Sequence, residues 1–195
     1  MDKKDQALLD RARNGDNTAF RELVKKYEST VAAAVYGMLG RCPAADDVGQ
    51  ETFIRFYQSM HRFRGDARIS TYLTRIAINL SLNELKRRKR KFSLFVSDTA
   101  EKPMDIPDTS ITEYDGEKEL VHAAVQKLDL KFRTVVVLRI MEGYSTRETA
   151  EILGLPQGTV LSRLARAQKK LKELLTPFIG EQYEKERPKT AASGF

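Results

Sequence analysis

The sequence is poor in the residues that build disulfide-rich, metal-binding and β-rich proteins. Its 195 residues include one cysteine, two histidines and no tryptophan, and 8% are aromatic. One cysteine excludes an intramolecular disulfide, and Cys42, His61 and His122 have no metal-ligand spacing. The scarcity of aromatic and alternating β-branched residues argues against an all-β fold. No apolar run approaches the roughly 20 residues that cross a bilayer or resembles a secretory leader, so we expect a cytoplasmic chain without membrane insertion.

Charge is abundant and is distributed in blocks. The 34 lysines and arginines outnumber the 27 acidic residues, giving a net charge of +7, so a polyanion is the first expected partner. Nucleic acid leads that expectation, and an anionic membrane comes second. Residues 62–91 contain ten basic residues against two acidic ones, and residues 158–175 contain five against one. Between these basic blocks, residues 97–119 have a net charge of −6.

The acidic segment predicts how the chain is divided. It contains Pro103, Pro107 and Gly116, which interrupt a helix, and it therefore has the composition of a flexible linker. We expect the two flanking domains to move independently in solution. The predicted parts are domains at residues 1–96 and 119–176, a linker at residues 97–118, and a disordered tail at residues 177–195.

Helical periodicity in nearly every other segment predicts an all-α fold of two small helical domains. In the first domain we expect a helix with an apolar stripe from Phe20, a second after Pro43, and a third with Ser70 as its N-cap. In the second domain, propensity favours a strand at residues 134–140. Nothing nearby could pair with that strand, so we predict a helix there.

The most informative segment is residues 145–175, which read STRETAEILGLPQGTVLSRLARAQKKLKELL. Ser145 and Glu148 form a capping box, and Gly154 suits the left-handed turn that ends a short helix. Val160 then lies on the apolar side of a second helix. Two short helices joined by a tight glycine turn predict a helix-turn-helix, whose second helix reads base edges in the major groove. The exposed side of that helix presents Thr159, Ser162, Arg163, Arg166 and Lys170.

Both domains resemble the extracytoplasmic-function sigma factors of bacterial RNA polymerase. The second domain resembles their region 4 through Glu148-Thr149-Ala150, Gly154, Pro156, Gly158-Thr159-Val160, Ser162-Arg163 and Arg166-Ala167. The first resembles their region 2 through Asp46-Asp47-Val48-Gly49-Gln50-Glu51-Thr52-Phe53, Phe63-Arg64-Gly65-Asp66, Ser70-Thr71-Tyr72-Leu73 and Ile76-Ala77-Ile78-Asn79. These stretches span most of the chain outside the linker and the tail.

The resemblance implies a division of roles. The exposed residues of the recognition helix would read the minus-35 promoter element. Region 2 would capture unpaired bases at minus-10, where cations suit the backbone, a ring suits stacking and an amide suits a base edge. The implied minus-10 residues are Arg64, Asp66, Arg68, Tyr72, Arg75, Asn79 and Lys86. The implied polymerase-docking residues are Asp46, Asp47, Gln50 and Glu51.

The expected partners are core RNA polymerase, promoter DNA and an anti-sigma factor, with no cofactor and no catalytic residue. Three positions depart from the family pattern. Gly49 stands where an aliphatic residue is more frequent, Tyr72 replaces a common tryptophan, and Leu161 occupies a variable position where a basic residue is frequent.

Other interpretations remain open from the sequence alone. The basic run could be only a solvated surface, and the acids after Pro43 could serve only to stabilise a helix start. A stand-alone helix-turn-helix regulator that binds an operator as a dimer would explain the C-terminal motif but not the basic block at residues 62–91. An enzyme acting on nucleic acid is a third reading, which lacks a metal or acid–base motif.

Overall fold

Eight α-helices make up the part of the chain that the computed structural model describes, residues 2–97 and 116–185, with side chains for residues 2–91 and 116–178. The all-α prediction is confirmed for these ranges. The helices are α1 (Lys3–Arg13), α2 (Asn17–Leu39), α3 (Pro43–Ser59), α4 (Ile69–Ser97), α5 (Glu117–Gln126), α6 (Leu130–Val136), α7 (Thr146–Leu153) and α8 (Gln157–Lys185). We call residues 2–97 the N-terminal lobe and residues 116–185 the C-terminal lobe.

The N-terminal lobe is built around α2, which packs against α1, α3 and α4. Its N-cap is Asp16, whose carboxylate accepts hydrogen bonds from the amides of Thr18 and Ala19. Pro43 lies in the first turn of α3, as predicted. The expected N-cap at Ser70 is wrong, because α4 already begins at Ile69. Ile69 is fully buried, and its packing in the core stabilises the helical conformation at this residue.

A short 3-10 turn at Met60–Arg62 joins α3 to the loop before α4. Arg13 holds this connection, since its guanidinium donates to the Met60 carbonyl at 2.9 and 2.8 Å and also to the Phe63 carbonyl. The Phe63 ring is buried below the loop. A single side chain of α1 therefore fixes the base of the arginine-rich loop at residues 62–68.

The C-terminal lobe confirms the helix predicted at residues 134–140, where α6 continues into a π-helical turn at Val137–Met141. The predicted disorder from residue 177 is wrong for residues 177–185, because α8 runs through Pro177 to Lys185. Leu171 and Leu174 pack against the core, which offsets the hydrogen bond that proline cannot make. Residues 186–195 lie outside the described residues.

The linker prediction falls mostly on residues 98–115, which lie outside the described residues. At its edges, Ser97 ends α4, and Glu117 and Lys118 belong to the first turn of α5. Helix α4 therefore includes the whole basic run at residues 86–91.

The expectation of independently moving lobes is wrong for this structure, because one hydrophobic core runs through both. Helix α2 contacts α5 and the π-helical turn, and α4 contacts α7. Val125, Phe132 and Val137 of the C-terminal lobe belong to the same buried cluster as Leu23 and Phe56. The charge blocks locate the boundary between the lobes, but they do not indicate that α5 and the π-helical turn pack against α2.

Polar contacts also cross this junction. The Gln126 amide donates to the Gly37 carbonyl at 2.8 Å, and Arg133 Nη1 donates to the Met38 carbonyl at 2.9 Å. Thr74 and Tyr144 share a hydrogen bond of 2.8 Å between their hydroxyl groups. Because Gly37 and Met38 lie in the last turn of α2, the C-terminal lobe satisfies carbonyls that this helix cannot pair internally.

Two helical glycines give a matched pair of stability predictions. A methyl group on Gly49 would meet no atom within 4 Å, so Gly49→Ala is expected to raise the free energy of unfolding by about 0.5–1 kcal/mol. A methyl group on Gly37 would lie 2.9 Å from Val137 Cγ1, so Gly37→Ala is expected to lose this gain and to destabilise the junction. Urea denaturation monitored by circular dichroism measures both changes. Equal stabilisation by the two substitutions would contradict the observed contact between the lobes.

Candidate nucleic-acid interface

The predicted helix-turn-helix is confirmed by the geometry of α7 and α8. The Ser145 hydroxyl accepts from the Glu148 amide at 3.2 Å, and Glu148 Oε2 accepts from the Ser145 amide at 2.9 Å. Hydrogen bonds from Ser145 lower the pKa of Glu148, whose carboxylate completes the capping box. Gly154 ends α7 at φ 63° and ψ 38°, the left-handed conformation that suits glycine.

Buried contacts fix how α8 presents its surface. Val160 is fully buried against Val135 and Ala150, and Ala167 is fully buried seven residues further along α8. Residues on the opposite side of the helix are therefore held toward solvent. The side chains of Ser162 and Arg166 are exposed there.

The five predicted minus-35 residues differ in how accessible their side chains are. Thr159, Arg163, Arg166 and Lys170 follow one another at helical spacing, with Ser162 beside them. Thr159 and Arg163 are half-buried. Lys170 is exposed, but its ammonium group donates to Asp129 at 2.8 Å and lies 5.1 Å from the centre of the Phe132 ring. Arg166 and Ser162 are therefore the most accessible members, whereas Lys170 is already engaged within its own lobe.

A second polar surface follows α4. Arg75, Asn79 and Lys86 are exposed on one face of the helix, which also contacts α7. Tyr72 lies on the same face as these residues but is half-buried, with its ring 4.8 Å from that of Phe63. Its hydroxyl donates to Ser59 at 3.1 Å. The structure therefore brings the four predicted side chains onto one face and anchors the aromatic one.

The loop before α4 continues this surface. Arg64, Asp66 and Arg68 are exposed around Gly65, whose φ is 81°. The charge of Arg68 adds to the lowering of the Glu148 pKa. The predicted minus-10 residues thus form one surface from the loop to Lys86.

The basic run after Asn79 is partly neutralised within α4. Glu84 accepts from Arg87 at 2.7 Å and from Arg88 at 2.9 Å, and these arginines lower the pKa of its carboxyl group. Arg88 also contacts Cys42 Sγ at 3.2 Å. Lys86 is exposed beside this cluster.

The predicted docking residues lie in the first half of α3. Asp46 accepts from the Tyr36 hydroxyl at 2.7 Å, and Glu51 pairs with Arg55 at 2.8 Å. Asp47 and Gln50 are exposed. The structure adds Ile54 and Tyr57, two exposed apolar side chains that share the face of Asp47. Their helical spacing from Asp47 is the sequence signal for this face.

Two features are absent from residues 2–97 and 116–185. No group of three histidine, cysteine, aspartate or glutamate side chains there could hold a metal ion. No helix in the same ranges is long and apolar enough to cross a bilayer.

The comparisons with known proteins match both lobes. Residues 23–91 match the family described as Sigma-70 region 2, and residues 118–171 match Sigma-70, region 4. The RNA polymerase sigma-H factor of Pseudomonas aeruginosa is 34% identical over 189 residues, covering 92% of this chain and 97% of that protein. The chain belongs to the sigma-70 family. It is a sigma factor of the extracytoplasmic-function type, which binds core RNA polymerase, recognises promoter elements and promotes strand opening.

Other relatives agree with this assignment of the sigma factor. The ECF RNA polymerase sigma-E factor of Haemophilus influenzae is 33% identical and covers 90% of this chain and 97% of its own length. Among solved structures, CnrH in complex with the cytosolic domain of CnrY has a TM-score of 0.66 at 27% identity, covering 90% of this chain and 99% of that one. The sigma factor RpoE of Bartonella quintana shares the fold, with a TM-score of 0.65 at 22% identity over 80% of this chain and 96% of that one.

Proposed function

We propose that three exposed surfaces of this sigma factor bind three different targets. The first half of α8 contacts the minus-35 element in duplex DNA. The surface from the loop at residues 62–68 along α4 contacts the minus-10 element and holds its opened strand. The first half of α3 contacts the polymerase clamp. The observation that carries the proposal is the helix-turn-helix, whose recognition helix is held by Val160 with Ser162 and Arg166 exposed.

The chemistry of the α4 surface supports its assignment to unpaired bases. An anchored but partly exposed Tyr72 ring offers a stacking surface, and Asn79 offers an amide to a base edge. Arg64, Arg68 and Arg75 supply exposed positive charge for phosphates. A solvated surface would need neither the ring nor its anchoring hydrogen bond.

The relatives support a proposal about the partner and the location. CnrH is described in complex with the cytosolic domain of CnrY, and we propose that an anti-sigma factor likewise binds this chain. We further propose that the chain acts in the cytoplasm and performs no catalysis of its own, because polymerase supplies the chemistry. No observation favours a stand-alone operator-binding dimer.

Reconstituted transcription tests the proposed assignment of surfaces. Core polymerase with the purified chain is incubated with a library of promoter fragments, and run-off products identify the promoters used. We expect initiation only when both proteins are present, and the selected promoters should share two elements. Binding of a palindromic duplex by the chain alone, with no stimulation of polymerase, would instead support a stand-alone regulator.

Charge reversal at Asp47 tests the docking surface. Because Asp47 is exposed in the first half of α3, Asp47→Lys is expected to weaken core binding by about tenfold, or about 1.4 kcal/mol, while the fold is kept. Glu28→Lys makes the same charge change at an exposed position of α2 and should leave core binding unchanged. Core binding is measured by fluorescence titration and helicity by circular dichroism. Loss of helicity in parallel with binding would show that Asp47 only stabilises the helix start.

A further inference from the structure

Leu161 is an apolar side chain exposed on the recognition helix. Its side chain is 53% exposed. Of its two neighbours along the chain, Val160 is buried in the core, and Ser162 is exposed but polar. The packing of α8 does not explain it, since Val160 and Ala167 supply the fully buried contacts of this part of the helix. A leucine left in water on a surface that binds DNA points to an apolar contact made only in the complex.

Small residues surround Leu161 on the same face. Gly158 precedes it by three residues and Ala165 follows it by four, so the three lie in a row along the helix surface. All three are exposed, and a Cβ atom added to Gly158 would have no neighbouring atom within 4 Å. Leu161 therefore projects between two short neighbours that let α8 approach a flat surface closely.

The position of this row on α8 matches a base-reading role. Leu161 is the fifth residue of α8, and the N-terminal residues of a recognition helix contact base edges in the major groove. The longer cations Arg163 and Arg166 lie on the other flank of the helix. That arrangement lets the cations on one flank and the short apolar row on the other contact different positions of the same major groove.

Leucine has no hydrogen-bond donor or acceptor in its side chain. The major groove presents one apolar group to such a residue, the C5 methyl of thymine. We propose that Leu161 selects thymine in the upstream promoter element by contact with this methyl group. The inference rests on the assignment of α8 to the upstream element, and it names a specificity-determining residue of this chain.

Deoxyuridine substitution tests the contact, because it removes the thymine methyl and leaves the base-pairing groups unchanged. Holoenzyme made from core polymerase and the full chain first selects bound duplexes from a library randomised in the upstream element. Each thymine of the selected element is then replaced singly by deoxyuridine, and holoenzyme affinity is measured. At one or two thymines we expect affinity to fall roughly fourfold, the effect of exposing about one methyl group.

The decisive comparison is with Leu161→Ala. At the sensitive thymines this variant should bind the thymine and deoxyuridine duplexes equally, because the two changes remove the same contact. Val121→Ala removes an exposed apolar side chain from α5 and should keep the fourfold discrimination. Core binding by Leu161→Ala should equal that of the parent.

Three results would overturn the inference. They are discrimination that persists in Leu161→Ala, a selected element without methyl-sensitive thymine, or loss of core binding in Leu161→Ala, which would assign the residue to a protein contact. Failure of the broader proposal looks different. If holoenzyme selects no upstream sequence at all, α8 does not read DNA and both proposals fall together.

Discussion

Replacing Arg133 by methionine is expected to lower the free energy of unfolding by about 2–4 kcal/mol. Arg133 is 5% exposed, and its guanidinium donates to the carbonyls of Met38, Gln126 and Leu128. These carbonyls lie at the C-terminal ends of α2 and α5, where helix dipoles favour a cation. Methionine keeps the aliphatic volume but leaves buried carbonyls without their donor, which has a high energetic cost.

Urea denaturation measures this effect, with Arg147→Met as the matched control. Arg147 has a side chain that is 80% exposed and pairs with Glu151 at 3.0 Å, so its replacement should change stability by less than about 0.5 kcal/mol. Burial also lowers the pKa of Arg133 to about 10, well above neutrality, so the residue is charged at the pH of the measurement. Equal stability of the two variants would show that the buried guanidinium contributes nothing net.

Arg166→Ala is expected to weaken holoenzyme binding to the upstream element by roughly 1–3 kcal/mol and to relax the base preference at one position. Arg166 is exposed, and as an arginine it can donate two parallel hydrogen bonds to guanine. Competition binding with duplexes varied one base pair at a time measures both the affinity and the preference.

Lys172→Ala is the control for loss of charge alone. Lys172 is also exposed on α8 but lies 15 residues beyond the start of the helix at Gln157. Its removal should change affinity little and leave the base preference intact. A lower salt dependence in Arg166→Ala without a change in preference would assign Arg166 to a phosphate. Unchanged affinity would remove Arg166 from the interface.

The helix-turn-helix could be predicted from sequence because local signals determine it. The capping box at Ser145, the left-handed Gly154 and the apolar spacing from Val160 each act within a few residues, and all three are confirmed. The face of α4 from Tyr72 to Lys86 could be predicted for the same reason, since helical period alone places those side chains together.

The predictions that were wrong concern features that depend on tertiary packing. Pro177 and Ser70 are strong local signals, yet packing of Leu174 and Ile69 overrides both. The junction of the lobes was not predicted. The sequence does contain a signal for the junction. Arg133 lies in the largely apolar segment at residues 132–138, and a charge in a buried segment needs a polar partner. That partner, the end of α2, lies some 95 residues earlier in the chain.

The chemistry of the junction determines what can open it. The three hydrogen bonds described across it use a guanidinium, a carboxamide and two hydroxyl groups, and burial raises the pKa of Tyr144 above its ordinary value. None of these groups changes its charge near neutral pH, so mild acidification or alkalinisation leaves these bonds intact. A partner that binds the separated arrangement more tightly than the closed one shifts the equilibrium toward separation. The apparent affinity of such a partner is lowered by the free energy needed to separate the lobes. The contacts between the lobes therefore set how tightly a partner must bind before the complex forms.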